Sequence, residues 1–465
     1  MAADSALIAR ELVQRGVAVV FVLAFAGVVR QWRPLLGADG LTPAAEVVAR
    51  TSFWQAPSLL RWRPTDAAAL ASAWVGLLLA ALLVVGLPQR AGSIATLAAF
   101  LTIWALYLSL VSLGRIWFAF GWESLLCEAG FLVGFLGGHD VAVAWPVLLA
   151  VRWLVFRVEV GAGMIKLRGD PCWRELTCLR YHHETQPMPG PFSWYFHHLP
   201  DGIHRLEALG NHVVQLGAPW LLFLPQPVAG VGAVAIIVTQ GWLLASGNFA
   251  WLNLLTIVLA ASALPDSWLG WLEGGWLLGD AGVHATTLPV PWVVVVALLS
   301  AGLLWRSLPP VRNLLSPRQR MNVSHDPLRL VNSYGAFGSV TRERFELTIE
   351  GTEDPTASGG WQAYGFHGKP GPLDRRPRQF APHHLRLDWL LWFAAMSPDP
   401  ERQHPWFRQL LRALGEGDPG IRQLLRHDPF DGRSPAALRV RRERYRFTTP
   451  AERRETGDWW AVDRR

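Results

Sequence analysis

The chain reads as a mainly α protein: a polytopic helical membrane bundle of about eight or nine spans over residues 1–311, then a small soluble α+β domain over 312–465. Three observations carry this. Half of the 465 residues are apolar, only 17% are charged, and apolar runs recur through the first three hundred positions. Beyond residue 311 the runs stop, and short alternating segments separated by Gly, Pro and Asp begin. Charge divides at the same place: residues 1–311 hold 17 basic and 17 acidic side chains, residues 312–465 hold 26 and 19, so the whole net +7 lies in the tail. A basic tail of this kind suits anionic headgroups or acidic partners, or is simply a solvated surface.

Taken in order, residues 7–14 form an amphipathic lead-in with Arg10 and Arg15, and 16–29 an apolar run closed by Arg30 and Arg33. That run is short for a bilayer unless the lead-in continues the helix. Residues 67–87 and 93–113 are clean spans with few polar residues between them, which predicts an antiparallel hairpin. Residues 116–136 and 141–160 read as two more spans; 213–224, 228–245 and 251–264 follow, the first and last of these three short, and 290–308 is the final one. Trp32, Trp145, Trp220, Trp292 and Trp305 sit at run ends, as interfacial aromatics do. In the tail, 334–341, 345–351 and 361–368 read as strands, the middle one placing Phe345, Leu347 and Ile349 on one face. Residues 385–396, 406–414 and 421–425 have helical spacing. The first apolar run lacks a small-residue cleavage site, so no cleavable signal peptide is expected.

Ionisable groups inside apolar sequence are costly and mark candidate sites. Glu123 and Glu128 lie five residues apart, about 140° around a helix, so they form no tight carboxylate pair and each should meet its own partner, such as Arg115, Arg152 or Arg157. The densest chemistry lies in 157–200. There Gly161 and Gly163 permit close approach of a neighbouring helix, and Lys166, Arg168 and Asp170 follow at alternate positions. Lys166 is one of only two lysines among 43 basic residues, a bias that points to a GC-rich genome and makes this lysine conspicuous. A snorkelling lysine with a local Arg168–Asp170 pair accounts for the pattern; so does a buried lysine acting as base or substrate anchor, because lysine, unlike arginine, can lose its proton.

Cys172 and Cys178 are not at zinc spacing; a disulfide and two free thiols both suit them. His182, His183 and Glu184, with His197 and His198, invite a metal reading. Adjacent histidines on a helix point apart, however, and no HExxH spacing exists, so neither metal nor cofactor is expected. Polar side chains capping a protein-buried loop suit Thr185, Gln186 and their neighbours better. Lys166 is thus the candidate catalytic residue. Arg168, Asp170, Trp173, Thr177, His182, His183, Glu184, Thr185, Gln186, His197 and His198 are the candidate binding loop. No nucleophile elbow, P-loop or dinucleotide fingerprint occurs, and no fold signal supports nucleic-acid binding by the tail.

The segments Gly161–Trp173, Tyr181–Pro189 and Trp194–His198 resemble the signature of the lipase maturation factor family. Trp122–Phe131, Ser246–Ile257, Val331–Arg342 and Pro382–Phe393 extend the resemblance along nearly the whole chain. It implies a multi-pass membrane protein whose animal relatives reside in the endoplasmic reticulum membrane. There they act as chaperone-like factors, rather than enzymes, that help secreted lipases fold and assemble. For this chain it implies contact with membrane lipid and a client that is a secreted lipase or another exported protein; the bacterial look of the composition implies a plasma membrane. Ala162, Gly163, Lys166 and Leu167, with Asp170 and Trp173 close by, are also similar to a motif of the vitamin K-dependent γ-carboxylases, in which the lysine is the catalytic base.

Overall fold

The computed structural model describes residues 6–272, 287–356 and 359–463. The first helix, α1 (Leu7–Leu36), absorbs the lead-in into one element of 30 residues, long enough to cross a bilayer. It runs through the middle of the helical region, and Val13, Val17, Phe21 and Phe25 have no exposed surface. Arg10 and Arg15 are buried too rather than lying on a wet face. Arg10 donates to the carbonyls of Gly138 (2.8 Å) and Val141 (2.9 Å), and Arg15 pairs with Glu11 at 3.0 Å.

Around α1 stand α2 (Asp66–Val84), capped by the Thr65 hydroxyl, and α3 (Ser93–Leu113), which packs on α2. At Gly76 of α2 a Cβ would lie 2.3 Å from the Phe25 ring, so the α1–α2 contact needs glycine there. Next come α4 (Gly121–Val133), α5 (Trp145–Arg168), α6 (Asp201–Leu221), α7 (Val228–Ser246), α8 (Leu252–Ala260) and α9 (Val290–Leu315).

Among the described residues, five helices are long and apolar enough to cross a membrane: α1, α2, α3, α7 and α9. A pair bent by 120°, Leu252–Ala263 with Asp266–Leu272, makes a sixth if counted as one span. Their outward faces expose Leu78, Ile94, Val290, Leu298 and Leu304, as lipid-facing surfaces do. The difference from eight or nine has local causes. Residues 116–136 break into a 3-10 turn, Arg115–Phe118, the 13-residue α4 and a second turn. The run at 141–160 lies mostly in α5, which is long but carries Arg152, Arg157, Glu159, Lys166 and Arg168. The run at 213–224 is mostly the C-terminal half of α6, an amphipathic helix that opens with Asp201, His204, Arg205 and Glu207. Of the five tryptophans at run ends, Trp145, Trp220 and Trp305 are exposed, whereas Trp32 and Trp292 are buried.

The tail holds a four-stranded antiparallel sheet formed by β1 (Arg344–Thr352), β2 (Gln362–Ala363), β3 (Ala437–Phe447) and β4 (Trp460–Asp463), in the order β2-β1-β3-β4. Helices α10 (Arg386–Ala395) and α11 (Pro405–Glu416) lie beside it. The pairing of β1 with β3 runs from Arg344–Tyr445 to Thr352–Ala437 and sets glutamates of β1 close to arginines of β3. Glu350 accepts from Arg439 (2.6 Å) and Arg441 (2.9 Å), and Arg442 lies 3.6 Å from the centroid of the Phe345 ring. Much of the basic tail is therefore cross-strand pairing. Residues 334–341 form no strand: only Asn332–Ser333 pairs, and Phe337 takes a positive φ of 55°.

That irregular segment lies directly on α5. A Cβ at Gly161 would sit 2.3 Å from the Tyr334 carbonyl oxygen, and one at Gly169 would sit 2.1 Å from that of Gly338. Gly161 thus admits a loop of the tail; Gly163, beside Leu216, is the glycine that lets a helix (α6) come close.

Candidate functional site

Two carboxylates of α4 mark where the tail enters the helical region. Glu128 accepts from Arg157 of α5, from the backbone N–H (3.0 Å) and Nδ2 (2.8 Å) of Asn332, and from the Tyr334 hydroxyl (2.7 Å). Glu123 accepts from Arg386 of α10 at 2.9 Å and from the Tyr107 hydroxyl, with His384 at 3.5 Å. Both acids are fully buried. Arg157 was among the partners the spacing suggested, but Arg152 serves the carbonyls of Ser262 and Leu222 instead. The partner of Glu123 comes from 263 residues downstream. A buried carboxylate without a cation would be strongly destabilising, so these contacts fix the tail against the helices.

Beside them lies a cavity of about 990 Å³ between α5, α6, α7, the loop 332–341 and α10. Its wall is mostly apolar, with Phe249, Phe337, Trp389 and Phe393, and is crossed by a band of amides and ionisable groups. Lys166, near the end of α5, is 4% exposed. Its Nζ donates to Asn211 Oδ1 (2.8 Å) and Gln215 Oε1 (2.9 Å) of α6 and stands 4.9 Å from the centroid of the Trp173 ring. Glu159, two turns earlier, accepts from Gln240 of α7 at 2.6 Å, and Gln240 in turn accepts from Asn253 of α8 at 2.7 Å. No ion pair forms between Lys166 and a carboxylate of the described residues. An ammonium held by two amides and a ring face keeps its charge available to an acidic guest.

Of the candidate catalytic and binding-loop residues, Lys166, Trp173, His182, His183, Thr185 and Gln186 line this cavity. The others do not. Arg168 donates to the Leu314 carbonyl and to Gln319, both at 2.8 Å. Asp170 pairs with Arg342 at 2.8 Å rather than with Arg168, and caps the turn Pro171–Arg174. The Arg342 guanidinium holds the Asp170 carboxyl below its usual range. Thr177 hydrogen-bonds back to the Cys172 carbonyl, and a disulfide joins Cys172 to Cys178.

Glu184 accepts from the Phe447 N–H at 2.7 Å and lies 3.6 Å from His197; burial raises its pKa. His198 turns back onto Trp194. His182 stacks on Phe249, and burial pushes its pKa down to about 3, so the ring is neutral. Gln186 ties the loop to the Ser246 carbonyl and to Ser193. Sequence reasoning missed Asn211, Gln215, Gln240 and Asn253. Their signal was present: Gln240 and Asn253 interrupt apolar runs, and Asn211 and Gln215 are spaced i,i+4 on one face of α6.

Comparison with known proteins places these features. Residues 8–271 match the model of the lipase maturation factor transmembrane domain, and residues 330–465 match that of the lipase maturation factor C-terminal domain. Lipase maturation factor 1 of Bos taurus is 38% identical over 97% of this chain and 86% of its own length. The Homo sapiens protein of that name is 42% identical over 78% of this chain and 68% of its own. Lipase maturation factor 2 of Homo sapiens is 29% identical over 97% and 80%. No solved structure matches. With both family models in register and chain-long identity to curated relatives, this membrane protein belongs to the lipase maturation factor family.

Proposed function

We propose that this protein is a multi-pass factor of the plasma membrane that assists the folding or assembly of a secreted lipase or another exported protein. The observation that carries this is similarity over 97% of the chain to a protein named lipase maturation factor 1. In this reading residues 1–311 anchor the protein among membrane lipids, residues 312–465 form a soluble domain, and nucleic acid is no partner. The loop 157–200, with Lys166, Arg168, Asp170, Trp173, Thr177, His182 to Gln186, His197 and His198, holds the client or a group on it. The cavity supports such a role, since its mostly apolar wall carries a lysine ammonium, Lys166, that makes no ion pair among the described residues. Deleting the gene should lower secreted lipase activity while lipase transcript stays constant. Unchanged activity across all exported lipases would refute the reading.

A second reading makes Lys166 a catalytic base, and its place in the cavity wall without an ion pair favours it. Lys166→Arg keeps the charge and removes deprotonation. Loss of function in that variant supports a base; full function makes Lys166 an anchor.

A further inference from the structure

One wall of the cavity holds a cluster of which the readings above use only His183. His183 lies on the short helix Leu179–Thr185, and His204 and Glu207 lie three residues apart on the same face of α6. One donor atom from each residue lies within 4.8 Å of the donor atoms of the other two. His183 Nε2 and Glu207 Oε2 are 3.5 Å apart but lack hydrogen-bond geometry.

His183 and His204 are 1% and 2% exposed. Both ring nitrogens of His183, Nδ1 of His204 and Oε2 of Glu207 are buried without a hydrogen-bond partner. Buried polar atoms left unpaired cost about 1–3 kcal/mol each, so four in one place call for an occupant.

The far atoms of the same side chains are held. His204 Nε2 faces the His197 carbonyl at 3.4 Å, Glu207 Oε1 accepts from Trp242 Nε1 at 2.7 Å, and the His183 ring stacks on Phe196. An imidazole that donates one N–H to a carbonyl presents the other nitrogen as a lone pair, which is how metal-binding histidines are oriented. An ion pair of His183 with Glu207 would satisfy neither His183 Nδ1 nor His204 Nδ1.

We propose that His183, His204 and Glu207 form a three-ligand site for a divalent cation, zinc by its donor set, with a fourth position turned to the cavity. Two imidazoles and one carboxylate are a donor set of zinc sites that keep an open position. Ligands about 2.0–2.1 Å from a tetrahedral ion stand roughly 3.3–3.5 Å from one another, so the His183–Glu207 spacing of 3.5 Å already fits, and His204, whose donor lies within 4.8 Å of both, completes the set by moving inward. His183 and Glu207 line the cavity, so a guest there would reach the ion.

The test uses the full chain in detergent, free of any affinity tag, stripped with a chelator and given one equivalent of zinc. After desalting, about one zinc per chain is expected to remain, and cobalt(II) in its place should give the intense visible bands of a four-coordinate ion. His183→Ala, His204→Ala and Glu207→Gln should each weaken zinc binding at least tenfold, while His198→Ala and His212→Ala leave it unchanged. Glu207→Gln keeps the acceptor for Trp242, so loss in that variant, with circular dichroism unchanged, is not a folding effect. Wild-type chain that retains no zinc overturns the site. So does zinc held equally by the three ligand variants, which would mark adventitious binding.

Discussion

Replacing Arg386 by methionine removes the cation that faces Glu123. Arg386 has no exposed surface, donates to Glu123 at 2.9 Å, and lies 3.9 Å from the centroid of the Phe118 ring. The variant leaves Glu123 with only the Tyr107 hydroxyl and His384 in a fully buried setting. Breaking a buried pair on one side costs about 3–5 kcal/mol. At about 1.36 kcal/mol per decade, that shifts the undocking of α10 by two to nearly four decades. Hydrogen exchange of residues 386–395 in detergent, with limited proteolysis of the tail, reads this opening directly. The companion Glu123→Gln/Arg386→Met removes both charges and should recover most of the loss, because replacing both members of a buried pair is often nearly neutral. Unchanged exchange in Arg386→Met would refute the reasoning, and so would a double variant no better than the single one.

Three further outcomes are expected. Gly169→Ala sets a methyl 2.1 Å from the backbone oxygen of Gly338, so it should cost about 1–3 kcal/mol and expose residues 334–341 to protease, whereas Gly202→Ala, with open space around it, should be neutral or slightly stabilising. Asp388, on α10, has its pKa raised to about 6 by burial, against Lys369 and the Gly368 N–H, which favour the charged form. The folded tail therefore holds a proton that the unfolded chain has released: stability present below pH ~4 falls as pH rises through 6, by on the order of 2–3 kcal/mol, and Asp388→Asn should flatten that slope in denaturant titrations between pH 4 and 7. Cys172→Ser/Cys178→Ser opens a loop of only a few residues and should cost about 2 kcal/mol, measured as a lower denaturant midpoint at constant slope.

The apolar runs at 67–87, 93–113, 228–245 and 290–308 correspond to α2, α3, α7 and α9, because an unbroken apolar run of that length has few alternatives to a helix. Where charges interrupted a run, hydropathy misled. Arg157 and Glu159 sit inside α5 because Glu128 and Gln240 meet them, and no window of local sequence contains both members of either contact. The tail strand expected at 334–341 failed for a related reason: its Gly338 and Phe337 carbonyls accept from the Asp170 N–H and from Trp173 Nε1, just beyond the end of α5, rather than from another strand. At the site, codon usage made Lys166 visible, but the α6 face that receives it was hidden within a run read only for its apolar half. The pairing of Glu123 with Arg386 had no sequence signal at all, since nothing periodic spans 263 residues.

The loop laid across Gly161 and Gly169, together with Arg386 at Glu123, has a consequence for the order of biosynthesis. The ribosome delivers α4, with both of its acids, some two hundred residues before Asn332, Tyr334 and Arg386 exist. Until those residues arrive, Glu123 lacks any cation and Glu128 has Arg157 alone. The half-made chain therefore carries an electrostatic debt in its interior, and α4 has reason to stay loosely seated until the tail docks. Docking of the tail then supplies those partners and, in the same event, brings residues 334–341 and α10 to the cavity wall.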